Sequence, residues 1–231
     1  MSNMNNGEIR STLIEHNVTE LFHANTVLTS INFLKNKGLC SRYYIDKLPN
    51  CYQTEQYSDA GDKKFGIYND IFFDSVDIHN RANQYNKYGP VMFVYDIDLL
   101  LLNDLENKVM ITKDNPIRWN TYMTVQDRYF MNISELQNDF HKGCFQQHIT
   151  LHNTEMVNFQ YLKKIIIDPL PQKYEYIFLN AYNTLVEVAQ QADLEVNVTI
   201  RNCSNNCRCQ ELYDKVSPEY IKKMYKIRGE Q

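Results

Sequence analysis

A histidine and an asparagine, His23 and Asn25, close the short apolar run LFHAN immediately before a helical pattern. At a strand end facing a helix N-terminus they can hydrogen-bond a ligand, or bridge the strand to the helix cap. Arg42 follows that helix, and Lys63, Lys64 and Arg81 flank the polar stretch behind it. A guanidinium meets phosphate through two parallel hydrogen bonds, although each of these cations also reads as a solvated surface charge. Gln146 and His148 in CFQQHITL are spaced to share one strand face. An imidazole there can orient or deprotonate a nucleophile near neutral pH. Glu155 supplies a carboxylate just beyond, in HNTEM; Asp74 and Ser75 end a second apolar run, where they contact a ligand or cap a helix. Cys203, Cys207 and Cys209 look like part of a metal cluster that His141 and Cys144 would complete. Their spacing is not the paired CxxC pattern of zinc sites, so the reading is free or buried thiols and no metal.

The elements that must position these groups are short. Helical spacing of Val27, Leu28, Ile31 and Leu34 predicts a helix ending at a Gly38–Leu39 cap. Residues 40–66 show no period and read as a long, functional loop. Ile71–Phe73 is a buried strand, and strict alternation sends Phe72 and Phe73 to opposite faces. Val91–Asp96, Lys108–Thr112, Phe145–Leu151 and Lys163–Ile167 are further strands, with a Ser134-x-x-Gln137 capping box between them. Tyr174 to Ala189 is the strongest amphipathic helix; a strand at Val196–Ile200 and a helix capped by Ser217-Pro218 complete the chain.

With 231 residues the chain can bury a real core. A net charge of −4 gives no basic-tail argument for nucleic acid, without excluding a local basic patch. Residues 1–17 are polar, which predicts a flexible start and no signal peptide. No apolar run approaches the roughly 20 residues of a membrane span. The expectation is a soluble cytoplasmic protein of three parts: 1–17 flexible, 18–171 the main domain, and 172–231 an extension packed on it.

The order of these segments is informative. LFHANTVLTSINFLKNKGLCSR, then NDIFFDSVDIHNR, then YGPVMFVYDID resembles the DarT-like ADP-ribosyltransferases, over roughly Leu21–Pro169. The resemblance implies an α+β fold of two small, mainly antiparallel sheets around an NAD cleft. It implies NAD as co-substrate, an oxocarbenium-like sugar as nicotinamide leaves, a nucleic-acid base in DNA or RNA as acceptor, and a cognate antitoxin. On the matching positions His23 and Asn25 would grip the adenosine ribose. The family places basic residues in the loop region, so any of Arg42, Lys63, Lys64 and Arg81 would meet the pyrophosphate; Tyr68 and Phe72 would lie beside nicotinamide with Asp74 at the strand end. The family's strand glutamate has no counterpart in CFQQHITL, where Gln146 and His148 hold the equivalent spacing. Three readings stay open: His148 with Gln146 replaces the acid, Glu155 moves into the site, or the site binds without catalysing. Two other functions stand beside the transferase: a catalytically silent nucleotide-binding module, and a nucleic-acid-binding accessory protein with a His/Cys metal site in its tail.

Overall fold

A computed structural model of the chain describes residues 4–228. In chain order the elements are α1 (Asn6–Glu15), β1 (Glu20–Asn25), α2 (Val27–Lys35), β2 (Gly38–Cys40), α3 (Arg42–Lys47), α4 (Asp59–Phe65), β3 (Ile71–Phe73), α5 (Ile78–Ala82), β4 (Val91–Asp96) and β5 (Val109–Ile111). They continue with α6 (Val125–Arg128), α7 (Ile133–Asp139), β6 (Ile149–Leu151), β7 (Met156–Asn158), β8 (Leu162–Ile167), α8 (Glu175–Gln191), β9 (Val198–Ile200), α9 (Cys209–Lys215) and α10 (Pro218–Tyr225). The fold is α+β, as expected. No helix among the described residues is long and apolar enough to cross a membrane.

Two sheets carry the cleft. One has the order β1-β4-β8-β9, antiparallel except for the parallel β8–β9 pair; the other is the antiparallel β3-β6-β5. A two-stranded ribbon, β2-β7, makes a third sheet where two were expected. β4 is central and apolar along nearly its whole length, because it is covered on both faces. Every residue of α2 from Val27 to Leu34 is buried, which marks an interior helix, and α8 packs against it. The parallel addition of β9 and the bond from the Tyr225 hydroxyl to the Asp168 carbonyl, 2.7 Å, hold the C-terminal segment against this body.

From residue 4 onward the N-terminal segment is not a flexible start; residues 1–3 of that expectation lie outside the described residues. Asn5 and Glu8 form a capping box for α1, and Ile9 and Leu13 are fully buried. The apolar residues are too sparse to raise a helical period, yet two of them suffice to dock the helix. Residues 40–66 are likewise not one loop. Ser41 caps α3 by accepting from the Tyr44 amide, and α4 ends at left-handed Gly66, φ +73°. Both helices are too short for a period to register, and α4 buries no residue. Two caps also differ from expectation. The left-handed residue after α2 is Lys37, φ 55°, while Gly38 begins β2. There its bare Cα lies against β7, and an added Cβ would stand 2.7 Å from the Val157 carbonyl oxygen. Asn132 rather than Ser134 caps α7, accepting from the Glu135 amide.

Gly89 has a site-building role. It enters β4 with φ +150°, and a Cβ on it would lie 2.1 Å from the Asn25 carbonyl. Both the backbone angle and the overlap exclude a side chain. Gly89→Ala is expected to cost more than about 1 kcal/mol in urea unfolding. An unchanged midpoint would show that the strand entry yields freely.

Candidate active site

The middle of β1 and the end of β3 meet in one backbone bridge: the Phe22 amide donates to the Asp74 carbonyl at 3.0 Å, and the Asp74 amide to the Phe22 carbonyl at 2.8 Å. A cleft of about 730 Å³ opens above this junction, within the roughly 300–1,000 Å³ usual for ligand sites. His23, Asn25, Arg42, Tyr68, Phe72, Asp74, Arg81 and His148 all line it.

At one end, His23 Nδ1 donates to the Phe72 carbonyl at 2.8 Å, which leaves Nε2 as an acceptor toward the Asn25 amide, 3.4 Å away. Burial lowers the His23 pKa; the Phe72 carbonyl and the Asp74 carboxylate oppose this without reversing it, so the ring is neutral at pH 7. Asn25 Oδ1 accepts from the Thr26 amide at 2.9 Å and is 3.4 Å from Gln56 Nε2. The pair is therefore fixed in orientation, with polar edges at the cleft.

At the other end, His148 Nδ1 lies 3.3 Å from Asp74 Oδ1, and Asn115 Nδ2 lies 3.2 Å from Nε2. An amide donor on Nε2 assigns the proton to Nδ1, facing the carboxylate. Phe72 sets its ring edge-on to His148, with centroids 6.3 Å apart, while Phe73 is buried in the core. Alternation along β3 thus separates the two phenylalanines as the sequence requires.

The remaining candidates divide. Arg42 borders the cleft, but its Nε/Nη2 edge is on Asp59, Nε–Oδ1 2.5 Å and Nη2–Oδ2 2.7 Å, so its charge is already paired while Nη1 has no hydrogen-bond partner among the described residues. Tyr68 donates to Asp46 at 2.7 Å beneath the Lys63 ammonium, which is 4.5 Å from the ring centroid. Burial and the Asp46 bond push the Tyr68 hydroxyl up to about 12. Arg81 donates to the Gly143 carbonyl at 2.5 Å and spans the Phe145 ring. Glu155 stands outside the cleft. It lines a separate depression with Tyr44 and Lys108 and pairs with Lys47 at 3.5 Å. Gln146 also fails to join His148: the chain turns through Cys144–Gln147, and β6 starts only at Ile149. Its Oε1 accepts from the Cys144 thiol instead.

Several cleft residues escaped sequence reasoning. Asn115 lay in a stretch read only as a turn, and Lys87 and Lys223 come from distant segments. Glu55 and Asp62 reach the cleft from the supposed loop. The three cysteines converge on His79, which no spacing rule connects to them, while His141 and Cys144 take no part.

The two joined sheets, with a ligand-sized cleft at their junction, form an α+β fold that solved structures share. Among those similar in fold are structures of DarT from Thermus sp. 2.9. Its complex with ADP-ribosylated single-stranded DNA aligns at a TM-score of 0.51 with 11% identity, over 80% of this chain and 95% of that one. The complex with NAD+ aligns at 0.48 and 11% identity, over 80% and 96%. At this identity the likeness is one of fold. No protein-family model matches the chain, and no curated protein matches it.

Asp62 provides a pH test of the cleft wall. Although not fully buried, Asp62 is shielded enough from water in the cleft wall that its carboxyl is pushed up to about 6, and Asp59 and Asp70 add to the effect against the Ser58 bond and Arg42. Between pH 4 and 6 the folded chain therefore holds a proton that the unfolded chain has released, so this site loses stability as pH rises. The melting temperature of Asp62→Asn relative to wild type is expected to climb from pH 4.5 to pH 7. A difference that stays flat with pH would show that Asp62 is solvated.

Proposed function

We propose that this protein is an NAD-dependent ADP-ribosyltransferase that modifies a nucleic-acid base, acting as a toxin or defence effector restrained by a cognate antitoxin. The observation that carries the reading is the pairing of two preorganised polar ends in one cleft, His23 with Asn25 and Asp74 with His148. Support comes from the fold shared with DarT bound to ADP-ribosylated single-stranded DNA, and from the sequence resemblance, which implies a ribose grip at His23 and Asn25.

In this reading the neutral His23 and Asn25 hold ribose hydroxyls. Arg81, Lys87 and Lys223 are the cleft cations available to a pyrophosphate, Arg42 being occupied by Asp59. As the bond from the ribose anomeric carbon to nicotinamide breaks, the electron pair leaves with nicotinamide and positive charge builds on the sugar. The Asp74 carboxylate counters that charge. An acceptor nitrogen or oxygen bonds to the anomeric carbon and surrenders its proton to His148 Nε2, whose lone pair the Asn115 amide otherwise holds. Asp74 then stabilises the imidazolium across the Nδ1–H bond, as the buried acid does in a serine-protease triad.

The second reading, a binding module without catalysis, is favoured by one feature: β6, Ile149–Leu151, carries no carboxylate. Adenine-labelled NAD offered separately to DNA, RNA and protein separates the two. Label is expected on one nucleic acid. His148→Ala and Asp74→Asn should each reduce transfer roughly a hundredfold with little change in NAD affinity. His23→Ala should weaken NAD binding about tenfold or more through loss of a ligand hydrogen bond. NAD binding without turnover in wild type would establish the binding module instead, and undiminished NAD affinity in folded His23→Ala would remove the ribose assignment.

A further inference from the structure

A second constellation lies where the C-terminal segment meets α5. His79 is fully buried, with Nε2 at 3.1 Å from the Cys207 sulfur and 3.6 Å from that of Cys203. The Cys203 and Cys209 sulfurs are 3.5 Å apart, and all four donor atoms lie within 4.8 Å of one another. The three thiols are free rather than disulfide-bonded. We propose that His79, Cys203, Cys207 and Cys209 bind one zinc ion as a closed structural centre that fastens the C-terminal segment to the cleft wall.

The distances fit the chemistry. Zinc bonds of about 2.0 Å to nitrogen and 2.3 Å to sulfur give tetrahedral edges of roughly 3.5–3.8 Å. Three of the observed separations, 3.1, 3.5 and 3.6 Å, lie close to these and the rest fall within 4.8 Å, so side-chain rotations close the tetrahedron. Three thiolates and one imidazole also form a complete four-ligand set, leaving no open position for substrate.

The imidazole is oriented as a ligand. Its Nδ1 bonds to the buried Asp168 Oδ2 at 2.6 Å, so the Nε2 lone pair is the one aimed at the sulfurs. A carboxylate behind a ligating histidine fixes its tautomer and raises its basicity. Asp168 is held in turn by Arg201, which also pairs with Asp77 at 2.5 Å, and Asp77 caps α5 through the His79 amide. Binding releases the three thiol protons to solvent and leaves the centre with one net negative charge.

The placement gives the ion a task. His79 sits on α5, whose Ile78 and Arg81 line the cleft, and α10 brings Tyr220 and Lys223 to the same cavity. The ion would tie these two walls together across more than a hundred residues of chain. The proposal is independent of the transferase reading.

Metal analysis of the full chain, purified under reducing conditions, tests it. One zinc per chain is expected in wild type and in the control Cys144→Ser, and none in Cys207→Ser. Cobalt(II) added to the chelator-stripped, reduced chain should produce thiolate-to-cobalt charge-transfer absorption that zinc abolishes. Stripping should lower the melting temperature, and zinc should restore it. Failure to co-purify zinc together with no cobalt spectrum would overturn the proposal, as would full zinc in Cys207→Ser. Should Cys207→Ser not fold, the cobalt spectrum of the stripped wild type decides alone.

Discussion

The bridge between Phe22 and Asp74 is the constraint on which the rest depends. Two backbone hydrogen bonds join strands from different sheets and, in doing so, set three things at once. They bring the Phe72 carbonyl under His23, which fixes that ring's tautomer. They hold Asp74 at the strand end, within reach of His148. They also turn Phe72 into the cleft and Phe73 into the core. A cleft at such a junction needs little special machinery, because two sheets that meet along one edge must diverge elsewhere.

Charge in the cleft is balanced by commitment rather than by number. Arg42 is neutralised by Asp59, and Lys63 sits over the Tyr68 ring. The cations on offer to an anionic ligand come instead from Arg81, Lys87 and Lys223, the last delivered by the C-terminal helix. The C-terminal helix thereby adds positive charge to a cleft that Glu55, Asp62, Asp70 and Asp74 also line, in a chain whose net charge is −4. It also makes the C-terminal segment part of the site.

What secures that segment is a buried set of charges. Asp168, almost wholly shielded from water, joins His79 on one oxygen and Arg201 on the other, and Arg201 reaches back to Asp77 at the start of α5. Removing one member of such a set leaves an uncompensated buried charge, typically costing about 3–5 kcal/mol. The network therefore enforces one arrangement of α5 against β8 and the residues after β9, with the cysteine cluster on its far side.

The sequence by itself determined the elements whose periods are long enough to register. Apolar spacing in α2 and α8, alternation in β3, and the Ser217-Pro218 start of α10 all follow from local chemistry. So does the position of His23 and Asn25 at a strand end. Only the tertiary structure decided which polar groups meet. Asp74 and His148 are 74 residues apart along the chain and touch because β3 pairs with β6. Glu155, close to His148 in sequence, is carried out of the cleft by the turn that leads into β7. The cysteines showed an unusual spacing, but their fourth partner came from α5, more than a hundred residues away. Short strands and helices of three to seven residues carry too little periodicity to reveal such encounters, since backbone pairing rather than side-chain pattern sets their register.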